Sequence, residues 1–308
     1  MDASLTFIGT ATTLLRLGPF TVLTDPNFVH RGQWVYLGYG LASRRRTEPA
    51  LQPGDLPPLD ALELSHLHAD HFDRVAKASL DRELPVLTTP HAARKLEQSG
   101  FSATVALSPW SNHVLVRGSD RLRITSTPGT HGPGLMGRLL PPVMGSLVEL
   151  EHAGEVTLRL WITGDVLFRP ELAAVGERWP DLDAMVIHLG GTRVFGVLVT
   201  MDGPQGMQLV ETVRPGLTIP VHYDDYGVFK SPLSDFLGEA HRRGGSERIR
   251  PVHRGETIEL PLRGGDGGKT GNGSARASVG VSTGSPETMD DERPRRPDGR
   301  ADGAGNAT

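Results

Sequence analysis

ALELSHLHADH, residues 61–71, joins an apolar run to a dense cluster of histidine and aspartate. The apolar run ALEL is typical of a buried strand, and the polar residues begin where such a strand ends. A strand end that opens into a turn lets closely spaced side chains converge on one point. His66, His68, Asp70 and His71 offer neutral nitrogen and hard oxygen ligands, which suit Zn²⁺ and similar borderline cations. The stretch therefore predicts a metal site on a loop that follows a strand.

Three further potential ligands lie downstream, each after a predicted β run. His131 follows RLRITS, Asp165 follows VTLRLWIT and His222 follows LTIPV. A single His or Asp in a loop is more often structural or solvated than a ligand. Functional side chains of mixed sheets gather at the carboxyl ends of strands. We therefore expect these residues to share one site with the motif at 66–71.

The rest of the sequence reads as short β-type runs, with helical patterns arriving later. Strands are predicted at 5–8, 13–17, 20–24, 61–65, 85–89, 103–107, 113–117, 121–126, 146–151, 156–163, 184–189, 217–221 and 256–260. Helices are predicted at 71–82, 91–99, 170–178, 204–213 and 232–243. Gly100 and Gly244 are the expected C-terminal stops. Two runs of strands, each followed by helices, predict an α/β fold in which two sheets pack together with helices outside.

The composition changes sharply near the C-terminal end of the 308 residues. Residues 264–308 are rich in Gly, Ser, Arg and Asp and have almost nothing to bury. Such a segment cannot offset the entropy of ordering itself, so we expect a disordered tail. Residues 1–263 are predicted to form one domain, which is long enough to bury a sizeable core.

Composition also excludes several classes of protein and site. The chain has no cysteine, which excludes disulfides and thiolate metal sites and fits a reducing compartment. A net charge of −4 without a long basic stripe argues against nucleic acid as a partner. No signal-peptide pattern and no membrane-spanning run is visible, so a cytoplasmic protein is expected. The sequence makes no prediction of the oligomeric state.

The order of these motifs has a known counterpart. HxHxDH followed by His131, Asp165 and His222 resembles the ligand set of the metallo-β-lactamase superfamily. The stretch FIGTATTLLRLGPFTVLTDPNF, residues 7–28, resembles the branch of L-ascorbate-6-phosphate lactonases and N-acyl phosphatidylethanolamine phospholipase D-like proteins. The resemblance covers roughly residues 4–260 and implies a four-layer αββα sandwich with the metals at one rim.

The resemblance also implies a role for each ligand of two divalent ions. It assigns His66, His68 and His131 to the first ion, Asp70, His71 and His222 to the second, and Asp165 to a bridge between them. Asp25, in the turn LTDP, resembles the family's aspartate that lies behind the ligands and orients one of them. Zn²⁺ is the favoured metal, and Mn²⁺ and Fe²⁺ also suit nitrogen and oxygen ligands.

Such a site predicts a hydrolase that uses a metal-bound hydroxide. Two ions that share a water lower its pKa from about 15.7 towards about 7, so hydroxide is available at neutral pH. The hydroxide attacks a carbonyl carbon or a phosphorus. Asp70 is predicted to take a proton from the nucleophile, and His222 to help stabilise charge on the departing oxygen. Asp70 and His222 are therefore the predicted catalytic residues.

Two positions near the predicted site are expected to contact substrate. Many members of the resembling branch carry a histidine where this chain has Thr10. His188, in VIHLGGT, is a substitute for that histidine if it lies near the site. A histidine packed at the end of a strand explains His188 equally well.

Three long segments are predicted to wall the site, because each follows or lies beside a metal-bearing strand end. They span residues 26–49, 132–145 and 190–204. Their apolar character favours a substrate with an apolar group, which Trp34 and Tyr36 are expected to contact. The arginines of the run Arg44–Arg46 are expected either to bind a phosphate or to lie on the surface in contact with solvent.

The sequence leaves the bond and the class of function open. A phosphodiester or phospholipid is slightly favoured over a lactone or carboxylic ester, which makes the partner a small-molecule or lipid-like substrate. A different class of interpretation is a non-catalytic metal-binding scaffold or sensor. The complete ligand set argues against that interpretation, because loss of catalysis usually lets ligands drift.

Overall fold

The computed structural model describes residues 1–38, 40–134, 137 and 140–264, so the predicted tail at 264–308 lies outside the described residues except for Gly264. The strands are β1 Ala3–Gly9, β2 Thr12–Leu17, β3 Phe20–Thr24, β4 Trp34–Gly38, β5 Leu41–Arg44, β6 Ala61–Leu64, β7 Val86–Thr88, β8 Thr104–Ala106, β9 Asn112–Arg117, β10 Asp120–Pro128, β11 Met144–His152, β12 Glu155–Ile162, β13 Ala184–His188, β14 Arg193–Val194, β15 Val197–Leu198, β16 Leu217–Val221 and β17 Thr257–Glu259. The helices are α1 Arg74–Ser79, α2 Pro90–Glu97, α3 Ala173–Arg178, α4 Gly203–Val213 and α5 Leu233–Arg243. Within these described segments, no helix has the length and apolarity needed to span a bilayer.

Most of the strands belong to two mixed sheets. The first has the order β17-β1-β2-β3-β6-β7-β8, and the second has the order β16-β13-β12-β11-β10-β9. Strands β3, β6, β7 and β8 are parallel in the first sheet, and β12, β13 and β16 are parallel in the second. Strand β10 runs in the same direction as β12, because both are antiparallel to β11. The carboxyl ends of these strands therefore reach a common edge of each sheet.

The apolar side chains divide among cores that define four layers. The central core lies between the sheets and includes Leu160 of β12. The next residue, Trp161, points to the opposite face and packs with Phe236 of α5. On the far side of the first sheet, Leu64 of β6 packs with Ala76 of α1. This layering confirms the predicted αββα sandwich, and it explains why strands buried on both faces appear in the sequence as nearly continuous apolar runs.

The predicted elements are found, with two departures. Helix α1 begins at Arg74 rather than at residue 71, because the Asp73 carboxylate caps it by accepting the N–H groups of Val75 and Ala76 at 2.8 Å. The hairpins β4–β5 and β14–β15 were not predicted, since they are short and lie inside the long segments. Gly244 ends α5 in the left-handed conformation at φ 70°, as predicted.

Candidate metal centre

The predicted ligands meet at the edge where strands of both sheets end. The loop after β6 carries the motif at 66–71, and the turns after β10, β12 and β16 carry His131, Asp165 and His222. His68 is half-buried, and the other six predicted ligands are buried. The seven side chains come from four strand ends that only the tertiary fold brings together.

His66, His68 and His131 form the first group of potential ligands. One ring nitrogen from each lies within 4.8 Å of the others. His66 Nε2 is 2.9 Å from His68 Nδ1. His131 Nδ1 is 2.9 Å from the carbonyl oxygen of Val199, to which it donates a hydrogen bond. That bond fixes the tautomer of His131 and leaves its Nε2 free of a proton to bind a cation.

The second group consists of Asp70, His71, Asp165 and His222, whose potential ligand atoms also lie within 4.8 Å of one another. His71 Nε2 is 3.2 Å from Asp165 Oδ2, without the geometry of a hydrogen bond. His222 Nε2 is 3.3 Å from Asp70 Oδ2. On its other side, His222 Nδ1 lies 3.1 Å from the carbonyl oxygen of Leu189 and donates to it. The two groups contain the residues of the two sets that the sequence resemblance implied, with Asp165 in the second, and their role as metal ligands stays a prediction.

The two groups differ in their electrostatics. Burial lowers the pKa of His66 well below its ordinary value and that of His68 to about 3, helped by neighbouring histidines. Burial alone would also lower the pKa of His71, but the carboxylates of Asp165 and Asp25 raise it well above the ordinary value. The first group is therefore a set of neutral imidazoles, and the second is a set in which carboxylates balance positive charge.

Asp25 lies directly behind the second group. Its Oδ2 is 2.9 Å from His71 Nδ1 and 3.5 Å from His188 Nε2. The backbone and side chain of Ser65 donate to Asp25 Oδ1 at 2.8 and 3.0 Å. Burial alone would raise the pKa of Asp25, but His71 and His188 lower it to about 2. Asp25 is thus a carboxylate that turns His71 Nε2 towards the potential ligands of the second group.

Unpartnered atoms test whether the centre fits a metal. His68 Nε2, Asp70 Oδ1, His71 Nε2 and Asp165 Oδ1 are buried, and within the described part of the chain they have no hydrogen-bond partner. A buried polar atom without a partner costs about 1–3 kcal/mol, so native structures rarely leave several of them together. Divalent cations bind such nitrogen and oxygen atoms, and the absence of sulfur suits Zn²⁺, Mn²⁺ or Fe²⁺. The residues present therefore fit bound metal.

The contact between Asp25 and His71 gives a first testable prediction. Asp25→Asn keeps the shape of the side chain and its bonds from Ser65, but removes the charge that orients and polarises His71. We expect metal affinity to fall about 10- to 100-fold, measured by competition with a chelator. Asp60→Asn is the matched control, because Asp60 also accepts a backbone N–H, from Thr21 at 2.8 Å. Equal affinities in the two variants would contradict this role.

Thr10 contacts the second group of potential ligands through its backbone. Its side chain is buried, its hydroxyl donates to Asn27 Oδ1 at 3.3 Å, and its N–H donates to Asp225 Oδ2 at 2.9 Å. Its carbonyl oxygen accepts the N–H of His222 at 2.7 Å. Both Thr10 and His222 have positive φ angles, 56° and 61°. The structure gives Thr10 a supporting contact with His222, and its role as a substrate contact stays a prediction.

A buried polar network continues from Thr10 and was not foreseen in the sequence. Arg45, the middle residue of the arginine run, is buried and donates to the backbone and side-chain oxygens of Asn27. Asn27 Nδ2 donates to the carbonyl oxygen of Ala69 at 2.8 Å, and Tyr226 donates its hydroxyl to Asn27 Oδ1 at 2.9 Å. Arg45 therefore fixes the loop next to Asp70 instead of meeting phosphate or solvent.

A small chamber of about 20 Å³ lies against the centre, a volume that holds about one water molecule. Its polar lining includes His68, Asp70, His131 and Asp165. Its apolar lining consists of Leu37, Leu41, Leu140, Val194 and Val199. Each of the three long segments singled out in the sequence supplies part of this apolar lining. Within the described residues, no Lys or Arg lines the chamber.

The other predicted substrate contacts occupy different environments. Trp34 and Tyr36 lie on β4 with exposed fractions of 62% and 63%, and Tyr36 lines a larger cavity beside the centre. His188 is buried and faces Asp25. Phe195, at the tip of the hairpin β14–β15, is 85% exposed and was not singled out in the sequence. The contacts of these residues with a substrate remain predictions.

Comparison with known proteins places the chain among metallohydrolases. A family model described as a beta-lactamase superfamily domain matches residues 21–223. A UPF0173 metal-dependent hydrolase of Opitutus terrae is 25% identical over 261 residues, which cover 83% of this chain and 99% of the relative. A UPF0173 metal-dependent hydrolase of Exiguobacterium is 24% identical over 245 residues, which cover 78% of this chain and 95% of the relative.

Solved structures share the fold at lower sequence identity. An isothiocyanate hydrolase from Delia radicum gut bacteria superimposes with a TM-score of 0.71 at 19% identity, covering 84% of this chain and 99% of that one. A possible metal-dependent hydrolase from Veillonella parvula also gives a TM-score of 0.71, at 21% identity, covering 84% of this chain and 100% of that one. Likeness at these identities shows the fold.

Proposed function

We propose that this chain, which belongs to the metallo-β-lactamase superfamily and is a metal-dependent hydrolase, holds two divalent ions and cleaves an ester-type bond. The observation that carries the proposal is the pair of adjacent donor groups, each with its potential ligand atoms within 4.8 Å of one another. Two such ions supply an activated water and a Lewis acid for the departing oxygen. We also propose that the chain belongs to the branch of L-ascorbate-6-phosphate lactonases and N-acyl phosphatidylethanolamine phospholipase D-like proteins that the sequence resembles.

Asp70 is the residue that we assign to proton transfer. It lines the chamber, and its Oδ1 has no partner within the described residues, so this atom is free to receive a proton from the attacking water. Its Oδ2 is 3.3 Å from His222 Nε2, so these two atoms are close enough to bind one ion together. The hydrogen bond from His222 Nδ1 to Leu189 keeps that imidazole from rotating. The apolar lining of the chamber excludes bulk water from the reacting bond.

The lining of the chamber bears on the bond that is cleaved. A phosphodiester carries a negative charge at its reacting group, and sites for such groups commonly supply Arg or Lys. The described lining of this chamber has neither, and it is apolar on the side of Leu37 and Leu41. We therefore place an uncharged carboxylic ester or lactone first. A phosphodiester or phospholipid, favoured by the sequence resemblance, is the second candidate.

Chelation and a substrate panel test this function. We expect elemental analysis of the purified protein to find about two divalent ions per chain, and chelation to lower turnover about 100-fold, reversibly. The panel comprises p-nitrophenyl butyrate, γ-butyrolactone, bis-p-nitrophenyl phosphate and phenethyl isothiocyanate. The last probe is included because a similar structure is an isothiocyanate hydrolase.

Each outcome of the panel decides between the candidates. Turnover of the ester or lactone, about tenfold above that of the phosphodiester in kcat/KM, supports the first assignment. The reverse order supports the second candidate, and turnover of the isothiocyanate alone removes both. Bound metal without chelator-sensitive turnover of any probe would favour the scaffold or sensor interpretation.

A further inference from the structure

A cavity of about 560 Å³ lies beside the chamber, and its volume is typical of small-molecule sites. It is bounded by the loop after β6, by α1 and α2, and by Tyr36 of the hairpin β4–β5. His68 lines both this cavity and the chamber. A ligand in the cavity therefore lies next to the metal centre. We call this cavity the basic groove, for the residues described next.

The polar rim of the basic groove carries three cationic side chains, Arg74, Lys77 and Lys95. Arg74 and Lys77 reach it from α1, and His91 and Lys95 reach it from α2. Arg74 donates to the carbonyl oxygen of Trp34 at 2.9 Å. The ion pairs of the described surface involve other cations, and none of them includes Lys77 or Lys95. These groups are thus available to an anion from solution.

The one carboxylate in the described lining, Asp73, offsets only part of the charge of the three cations. Asp73 is buried, and it accepts backbone N–H groups of Phe28, Val29, Val75 and Ala76 at 2.5–2.8 Å. Its lone pairs are therefore occupied by the start of α1 and by the chain before β4. The groove carries a local excess of positive charge on a chain whose net charge is −4. Such a contrast is expected where an anion binds.

The floor of the groove is apolar, with Leu67, Phe72 and Leu96 in its lining. The chamber of about 20 Å³ has room for little more than the reacting bond, so most of a substrate must lie elsewhere. We propose that the basic groove binds the anionic end of the substrate, a carboxylate or phosphate on an apolar stem, while the ester bond enters the chamber beside His68. This proposal rests on the proposed function and adds the substrate class.

Two esters with the same leaving group test the proposal. p-Nitrophenyl hexanoate and the mono-p-nitrophenyl ester of adipic acid have acyl chains of the same length, and only the second ends in a carboxylate. We expect the wild type to prefer the adipate ester by about tenfold in kcat/KM, through KM, because charge-assisted bonds at an exposed rim are weakened by solvent. The double variant Lys77→Ala/Lys95→Ala should lose this preference and hydrolyse the hexanoate ester at the wild-type rate.

Arg94→Ala is the matched control, because Arg94 is an exposed cation on α2 that does not line the groove. It should keep the preference for the adipate ester, and Lys77→Arg/Lys95→Arg should restore most of it. Equal kcat/KM values for the two esters in the wild type would overturn the proposal. So would a double variant that loses activity equally on both.

Binding measurements separate this proposal from the proposed function. Calorimetry with heptanoate, hexyl phosphate and hexanol uses one hexyl stem with three head groups, so the tighter of the two anions identifies carboxylate or phosphate. We expect about tenfold weaker binding of that anion to the Lys77→Ala/Lys95→Ala variant, with hexanol unchanged. If neither ester is hydrolysed but anion binding differs between the wild type and the double variant, the ester assignment is wrong and the anion site in the basic groove is supported. Equal binding to the variant and the wild type overturns the groove.

Discussion

Replacing Asp165 with alanine is expected to reduce kcat/KM about 1,000-fold, because the proposed dinuclear centre would lose one of its ligands. Asp165 Oδ2 is 3.2 Å from His71 Nε2, and its Oδ1 is 3.5 Å from His222 Nδ1. Burial alone would raise the pKa of Asp165, but His222 and His71 lower it well below the ordinary value. The side chain is therefore a carboxylate at any physiological pH. Alanine leaves two imidazoles and Asp70 to hold the second ion.

The metal content of the variant shows whether the loss of activity arises from the loss of an ion. Elemental analysis of Asp165→Ala should find about one ion per chain rather than about two. The control is Asp81→Ala, which removes an exposed aspartate and should keep both the activity and the metal. Circular dichroism of both variants checks that the fold is retained. Wild-type metal content together with undiminished turnover in Asp165→Ala would exclude it as a ligand.

The sequence was sufficient to predict which residues gather at the centre, because a simple rule of topology applies. His66, His131, Asp165 and His222 each follow a strand, and parallel strands bring their carboxyl ends to one edge. The layers were predictable for a related reason. Runs such as that of β13 are apolar on both faces, with Val186 in the central core and Met185 in the outer one, so they require partners on both sides.

The sequence predicted that the three long segments wall the site, but the particular residues that line the chamber and the basic groove leave no periodic signal. Leu41 and Val194 belong to hairpins too short to show alternation, and an apolar residue in a loop is indistinguishable from one in the core. Lys77 and Lys95 are ordinary exposed residues of two helices. Only the packing of α1 beside α2 places them on one rim. Their proximity depends on contacts between distant segments, which local patterns do not encode.

Arg45 shows a different limit of inference from sequence. An arginine within a run of three is most simply interpreted as a surface residue, yet this one is buried. The residue that makes its burial possible is Asp225, far along the chain and 3.6 Å away. The stretch YDDY after His222 was visible, but nothing local distinguishes the buried aspartate of the pair from the exposed one.

That pair of aspartates gives a prediction with an internal control. Asp224 and Asp225 both contact Arg254, but their side chains are 44% and 0% exposed. Asp225 also accepts the N–H of Thr10 at 2.9 Å and faces the buried guanidinium of Arg45. Asp225→Ala leaves Arg45 without a carboxylate in a buried site, which costs about 3–5 kcal/mol of unfolding free energy. Asp224→Ala removes an exposed ion pair and should cost less than about 1 kcal/mol.

Denaturant and thermal unfolding of the wild type and both variants, at two pH values, measure both the size of this effect and its cause. At neutral pH we expect Asp225→Ala to lower the melting temperature by about 10 °C. Burial alone would raise the pKa of Asp225, but Arg254 and Arg45 lower it. A carboxylate whose folded pKa is depressed contributes stability above its unfolded pKa, about 3.9, and loses it as the pH falls. The difference in unfolding free energy between the wild type and Asp225→Ala should therefore narrow below about pH 4. Equal losses of stability in the two alanine variants at neutral pH would show that the buried contact with Arg45 contributes nothing beyond the exposed ion pair.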